Sequence, residues 1–174
     1  MATSIAEISR AFQVFHLGLR DRDFTKSLRL NSWSERKLLP LARSFLLGWF
    51  GHGRIAPEVM AALPGKRTGS GRIDFVVDGV AVELAVRSKE APRSNLSASV
   101  NADEIKKLLK FDGPSVLILL DLTDDPLDEA TIRKFRDWPS LGKGNHRKSA
   151  FSVSYHFKNT ETSDLDQKTY RIRV

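Results

Sequence analysis

The dipeptide Asp78-Gly79, set between two largely apolar, valine-rich runs, constrains the fold more than any other feature of the chain. Asp-Gly is a preferred two-residue turn, because both central positions of such a turn need a positive φ. The flanking runs, Arg72–Val77 and Val80–Arg87, are therefore predicted to be the two strands of a hairpin. A two-residue turn also fixes the register: Val77 faces Val80, Val76 faces Ala81, Phe75 faces Val82, and Asp74 faces Glu83. Two carboxylates are thereby expected side by side, with Cβ atoms about 4.5–5.5 Å apart.

Like charges placed opposite each other destabilise a sheet, and burial adds the cost of lost hydration. Either one acid keeps a proton or a cation lies between them. A hard divalent ion such as Mg²⁺ or Mn²⁺, which takes oxygen ligands, relieves the repulsion directly. The other reading is a solvent-facing side of the sheet, where neighbouring arginines serve as partners.

The elements around the hairpin follow from periodicity and punctuation. Ser4 and Glu7 form a capping-box pattern, and Ile5, Ile8, Phe12 and Phe15 continue it as one face of a helix. Residues 18–31 have mixed charge and no period and are read as a connection. A second helix is expected from Ser32 or Ser34 to about Phe50, stopped by Gly51 and Gly53. "RIAPEVMAAL" is either a short strand interrupted by Pro57 or a loop. A helix near Asn101 carries "IKKLLKF", with Glu104 placed to complete its cap. "SVLILLDL" (115–122) reads as a strand buried on both faces. "PLDEATIRKFRDW" reads as a helix with Pro126 in its first turn. "AFSVSYHF" and "KTYRIRV" alternate as a closing hairpin. The expected architecture is a single α/β domain, residues 1–174, with a mixed β-sheet flanked by helices.

The 174 residues include no cysteine, which removes disulfides and thiolate metal sites. Histidines 16, 52, 146 and 156 lack the spacing of a zinc site. No Gly-x-Ser-x-Gly occurs, and "GKRTGSG" lacks P-loop spacing. Asp121, Asp124, Asp125 and Asp128 are read as a loop leading into a helix N-terminus, where acids suit the dipole. The N-terminus lacks the pattern of a signal peptide and the longest apolar stretch (38–50) is too short to span a bilayer, so a soluble cytoplasmic protein is expected, with no membrane partner.

Lysine and arginine number 28 against 21 acids, a net charge of +7. That surplus favours a polyanion, above all nucleic acid. Lys66, Arg67 and Arg72 before and within the hairpin, Lys89 after it, Lys106 and Lys107 on the next helix, and Lys143, Arg147 and Lys148 of the Gly-rich loop 142–149, which reads equally as a solvated turn, are the expected nucleic-acid contacts.

With the helix, the hairpin acids, the next helix and the buried strand in this order, residues 33–122 resemble the PD-(D/E)xK nuclease superfamily, the restriction-endonuclease-like fold. "GRIDFVVDG" supplies Asp74 and "VAVELAV" supplies Glu83. "TGSGRIDF" is similar to the Ser-Gly-x-x-Asp of archaeal Holliday-junction resolvases. The resemblance implies an αβββαβ core, preceded here by an N-terminal helix and followed by a C-terminal extension (123–174) ending in a β-hairpin. It implies Mg²⁺- or Mn²⁺-dependent hydrolysis of DNA, with Asp74 and Glu83 as metal ligands, Glu35 on the preceding helix as a further acid, and a homodimer as a common assembly. Where the family has lysine, this chain has Ala85. Arg72, which the register sets opposite Ala85, Arg87 on the same face, and Lys106, Lys107 or Lys110 on the next helix are the candidate replacements. The alternative is a catalytically inactive relative that serves as a DNA-binding or protein-interaction module, for example in phage–host defence.

Overall fold

The computed structural model describes residues 3–28, 34–62, 70–89, 96–138 and 150–172. Their order is α1 (Ile5–Arg20), α2 (Arg22–Ser27), α3 (Glu35–Phe50), β1 (Ile55–Ala62), β2 (Ser70–Val77), β3 (Val80–Arg87), α4 (Ala102–Lys110), β4 (Ser115–Asp121), α5 (Glu129–Arg133), a 3-10 turn (Lys134–Asp137), β5 (Phe151–Lys158) and β6 (Leu165–Ile172). The strands form one sheet in chain order from β1 to β6. β1, β2 and β3 pair antiparallel, β3, β4 and β5 pair parallel, and β6 returns antiparallel to β5. This is the expected α/β domain with a mixed sheet and a closing hairpin.

The ambiguous stretch around Pro57 is the edge strand β1. A proline is tolerated there because an edge strand need not donate on its outer side. β4 is central and buried along its whole length, as its unbroken apolar run predicts.

Side chains alternate across the strands and split the core in two. Val80, Val82 and Leu84 of β3 pack with Phe12 and Phe15 of α1 and with Leu38, Ala42 and Leu46 of α3. Ala81 and Ala85 pack on the other face with Ile105 and Leu108 of α4 and Phe135. Glu83, between those two alanines in the alternation, therefore belongs to the α4 face. Two imidazoles, His16 of α1 and His156 of β5, are also buried without exposure. Burial holds both neutral, lowering them to about 4 and about 3.

Three local expectations are corrected. Residues 22–27, read as connection, are the helix α2, capped by Asp21, whose carboxylate accepts from Phe24 N–H. It buries no residue, so it has no apolar period to betray it. The helix after β4 starts beyond Pro126: Asp128 is its cap, accepting from Thr131 N–H at 2.6 Å. Asn101 does not cap α4 through its side chain, which instead donates to the Ser97 carbonyl. Glu104 is thus not half of a capping box. Among the described residues no helix is long and apolar enough to cross a membrane.

Candidate active site

Asp78 and Gly79 adopt φ of 46° and 82°, the left-handed pair that a tight hairpin needs and that these two residues tolerate. The register is Val77↔Val80, Val76↔Ala81 and Phe75↔Val82, as the turn predicts. One residue further on, a side chain enters the ladder: Asp74 Oδ2 accepts from Leu84 N–H at 2.9 Å. The strand changes sides at the same point. Phe75 and Val77 pack with α1 and α3, whereas Ile73, which alternation assigns to the same face, packs with α4. Asp74 and Glu83 are neighbours at a splayed fork rather than a flat facing pair.

The fork admits side chains from two helices. Glu83 is 1% exposed, and its Oε2 accepts from Lys107 Nζ at 2.6 Å. The same ammonium donates to the Arg72 carbonyl at 2.9 Å, which ties α4 to β2. Lys107 is itself buried; its stem runs among the apolar residues of α4 while its head reaches the acid. Glu83 Oε1 is buried with no hydrogen-bond partner.

Electrostatics extend the cluster to two more acids. Burial, and after it the charge of Asp74, pushes the Glu83 carboxyl up to about 9, against the pull of Lys107. Glu35, in the first turn of α3, rises to about 7 through burial and then the charges of Asp74 and Glu104. Glu104 lies one helical turn before Lys107 on α4. Glu83 and Glu35 thus both feel the charges of Asp74, Glu104 and Lys107, and burial together with the two acids raises both above the ordinary carboxylate range.

Hard oxygen donors, mutual repulsion and an orphaned buried Oε1 suit a divalent ion such as Mg²⁺. Among the described residues, no three acid or histidine side chains are already gathered closely enough to enclose one. The donor set fits the ion in its chemistry, and Lys107 takes one oxygen of Glu83.

The raised Glu83 has a direct consequence for stability. Its folded value lies above its unfolded value of 4.5, so the native state binds more protons between those two limits. The contribution of Glu83 to native stability is therefore fully present near the lower limit and is lost as pH rises toward 9. Glu83→Gln removes this dependence. In metal-free buffer the variant melts above the parent at pH 8 by at least about 2–4 °C, the shift of 1 kcal/mol in a chain of this size. The gap closes near pH 5. Thermal melts across that range check it, and parallel curves overturn it.

The remaining expected site residues are spread more widely. Ala85 is buried in the apolar cluster with Ile105 and Leu108, so the position at which the resemblance would expect a lysine is filled by packing. Of the three lysines proposed on the next helix, Lys107 is the one bonded to Glu83, while Lys106 pairs with Asp103 at 3.4 Å. Arg72 is exposed and lends its carbonyl. Arg87 lies elsewhere: its guanidinium donates to Asp121 Oδ2 at 2.9 Å and to the Asp125 carbonyl at 2.7 Å. Lys89 pairs with Asp124 at 3.0 Å, beyond the end of the same strand. Lys66, Arg67, Lys143, Arg147 and Lys148 lie outside the described residues. Glu104 was missed because its place near a helix start read as capping; its i, i+3 spacing to Lys107 was the available signal.

With this geometry in hand, comparison with family models, with curated proteins and with solved structures finds no match, so the residues themselves carry the functional reading.

Proposed function

We propose that this chain is a metal-dependent phosphodiesterase of PD-(D/E)xK type acting on DNA, in which Lys107 of α4 stands in for the lysine absent at Ala85. The run α3-β1-β2-β3-α4-β4 has the order αβββαβ, and that agreement supports a restriction-endonuclease-like core. The observation that carries the reading is the 2.6 Å contact of Lys107 with the buried Glu83, formed beside Asp74 at the fork of the hairpin.

Asp74 and Glu83 would hold the ion, with Glu35 and Glu104 beside them. When bound, Mg²⁺ supplies Lewis acidity and an acidified water. The other contributions belong to the chain. The Lys107 ammonium places a positive charge where phosphate oxygens gain negative charge, in a recess with little water to screen it. Glu35, poised near 7, can take a proton at the pH of the cell. The Leu84 N–H bond holds the Asp74 carboxylate in one orientation. Arg72, exposed at the rim, meets the phosphate backbone.

Supercoiled plasmid incubated with millimolar Mg²⁺ or Mn²⁺ tests the reading. The parent is expected to nick it, and Asp74→Asn and Glu83→Gln are each expected to lose about a hundredfold or more of the rate. The ion alone raises the melting temperature, because binding at a hundred times its Kd adds about 2.7 kcal/mol. Absence of both cleavage and the metal-induced shift overturns the proposal and leaves a binding module.

A further inference from the structure

A cleft of about 680 Å³ opens between α3 and β2, with Leu39, Leu47 and Phe75 on its walls, Arg43 on the helix side, and Arg72 and Asp74 on the strand side. We infer that this cleft seats an unpaired DNA strand and delivers it to the acid cluster. The inference rests on the nuclease reading for its direction, since Asp74 belongs to both cleft and cluster.

Three observations support it. The volume falls within the range of small-molecule sites and suits one or two nucleotides, not a duplex. The Glu83 carboxyl is recessed, the residue being 1% exposed. A phosphate on the outside of an unbroken duplex cannot descend to that depth, whereas a single strand can bend into it. Finally, the walls combine apolar surface with two exposed guanidinium groups on opposite sides. Apolar side chains and flat guanidinium planes accept base faces of any sequence, and the same arginines pair with phosphate. The net charge of +7 has the matching sign.

Arg43 enters the site by this route. In the sequence it is only a charge interrupting an apolar stretch. On α3 it lies one turn from Leu39 and Leu47, so helical spacing brings all three to the same wall.

The test is binding without metal, so that it does not depend on cleavage. A fluorescein-labelled oligodeoxynucleotide of about a dozen residues is titrated in EDTA by anisotropy, single-stranded and annealed to its complement. The single strand is expected to bind the parent about tenfold more tightly than the duplex, and Arg43→Ala to lose about tenfold of that affinity. Ser44→Trp, an exposed position lining the cleft, fills it without hollowing the core and should weaken the single strand at least as much. Lys37→Ala, exposed on α3 outside the cleft, controls for general charge and should change affinity less than about twofold. Equal binding of both forms, or unchanged binding in Arg43→Ala and Ser44→Trp, overturns the inference. A parent that binds the strand this way but never cleaves with metal leaves the cleft standing and removes the nuclease.

Discussion

Lys107→Met is expected to lower metal-dependent cleavage by about two to three orders of magnitude, the usual loss when one preorganised charge is taken from a phosphoryl or acyl transition state. Ala85→Lys placed in the same molecule should restore part of it. Ala85 lies two residues beyond Glu83 on the same face of β3, so an ammonium there can reach back toward the carboxylate. The restoration will be partial, since Ala85 is packed against Ile105 and Leu108 and a longer side chain there costs about 1–3 kcal/mol. Lys107→Arg separates charge from shape. It keeps the cation but spreads it over a rigid fork that the 2.6 Å contact with Glu83 was not built to hold. The folded fraction must be followed alongside the rate. Loss of Lys107 removes the charge that lowers the Glu83 carboxyl, so the acid keeps its proton to still higher pH. The variant is accordingly stable in mild acid and goes on losing stability at high pH where the parent's loss has levelled off. A folded Lys107→Met protein that cleaves at the parental rate would remove the lysine from the chemistry.

What the sequence made legible, and what it hid, differ in physical kind. The hairpin, its register as far as Phe75↔Val82, and the buried strand β4 follow from turn chemistry and period, which are local. The fork at Asp74 does not, because it depends on a carboxylate replacing a backbone acceptor for Leu84 N–H. No pattern of apolar residues encodes that exchange. Lys107 was one of three lysines on a helix whose buried face is set by Ile105, Leu108 and Leu109. Periodicity places Lys107 beside that face, but only packing decides that its stem lies in the core and its head at Glu83. Glu35 was expected near the site through the family resemblance alone, and it does feel the charges of Asp74, Glu104 and Lys107.

Arg87 shows the opposite case, a residue assigned to the right face and the wrong place along it. Alternation puts it with Glu83 and Ala85, yet four residues at about 3.3 Å each separate it from Glu83. In the parallel register with β4 it lies opposite Asp121, a partner that sequence order, 34 residues away, did not reveal. Asp121 has no exposure. It accepts from Arg87 at 2.9 Å, from Tyr155 O–H at 2.7 Å, and from Thr123 N–H and O–H at 3.0 and 2.7 Å. Burial and the Asp121 charge in turn push the Tyr155 hydroxyl well above its ordinary range, so it remains a donor.

Arg87→Met keeps three of those donors but strands a buried negative charge without its counter-ion, at a cost of about 3–5 kcal/mol. In a chain of this length that lowers the melting temperature by about 10 °C. Adding Asp121→Asn removes the stranded charge, so the double variant should lose less than the two single losses combined, with a coupling of about 1–3 kcal/mol. Below its melting transition, Arg87→Met should cleave DNA at the parental rate per folded molecule, because the guanidinium is committed to the far end of β3. Unchanged stability together with lost cleavage would reverse that assignment and return Arg87 to the scissile phosphate.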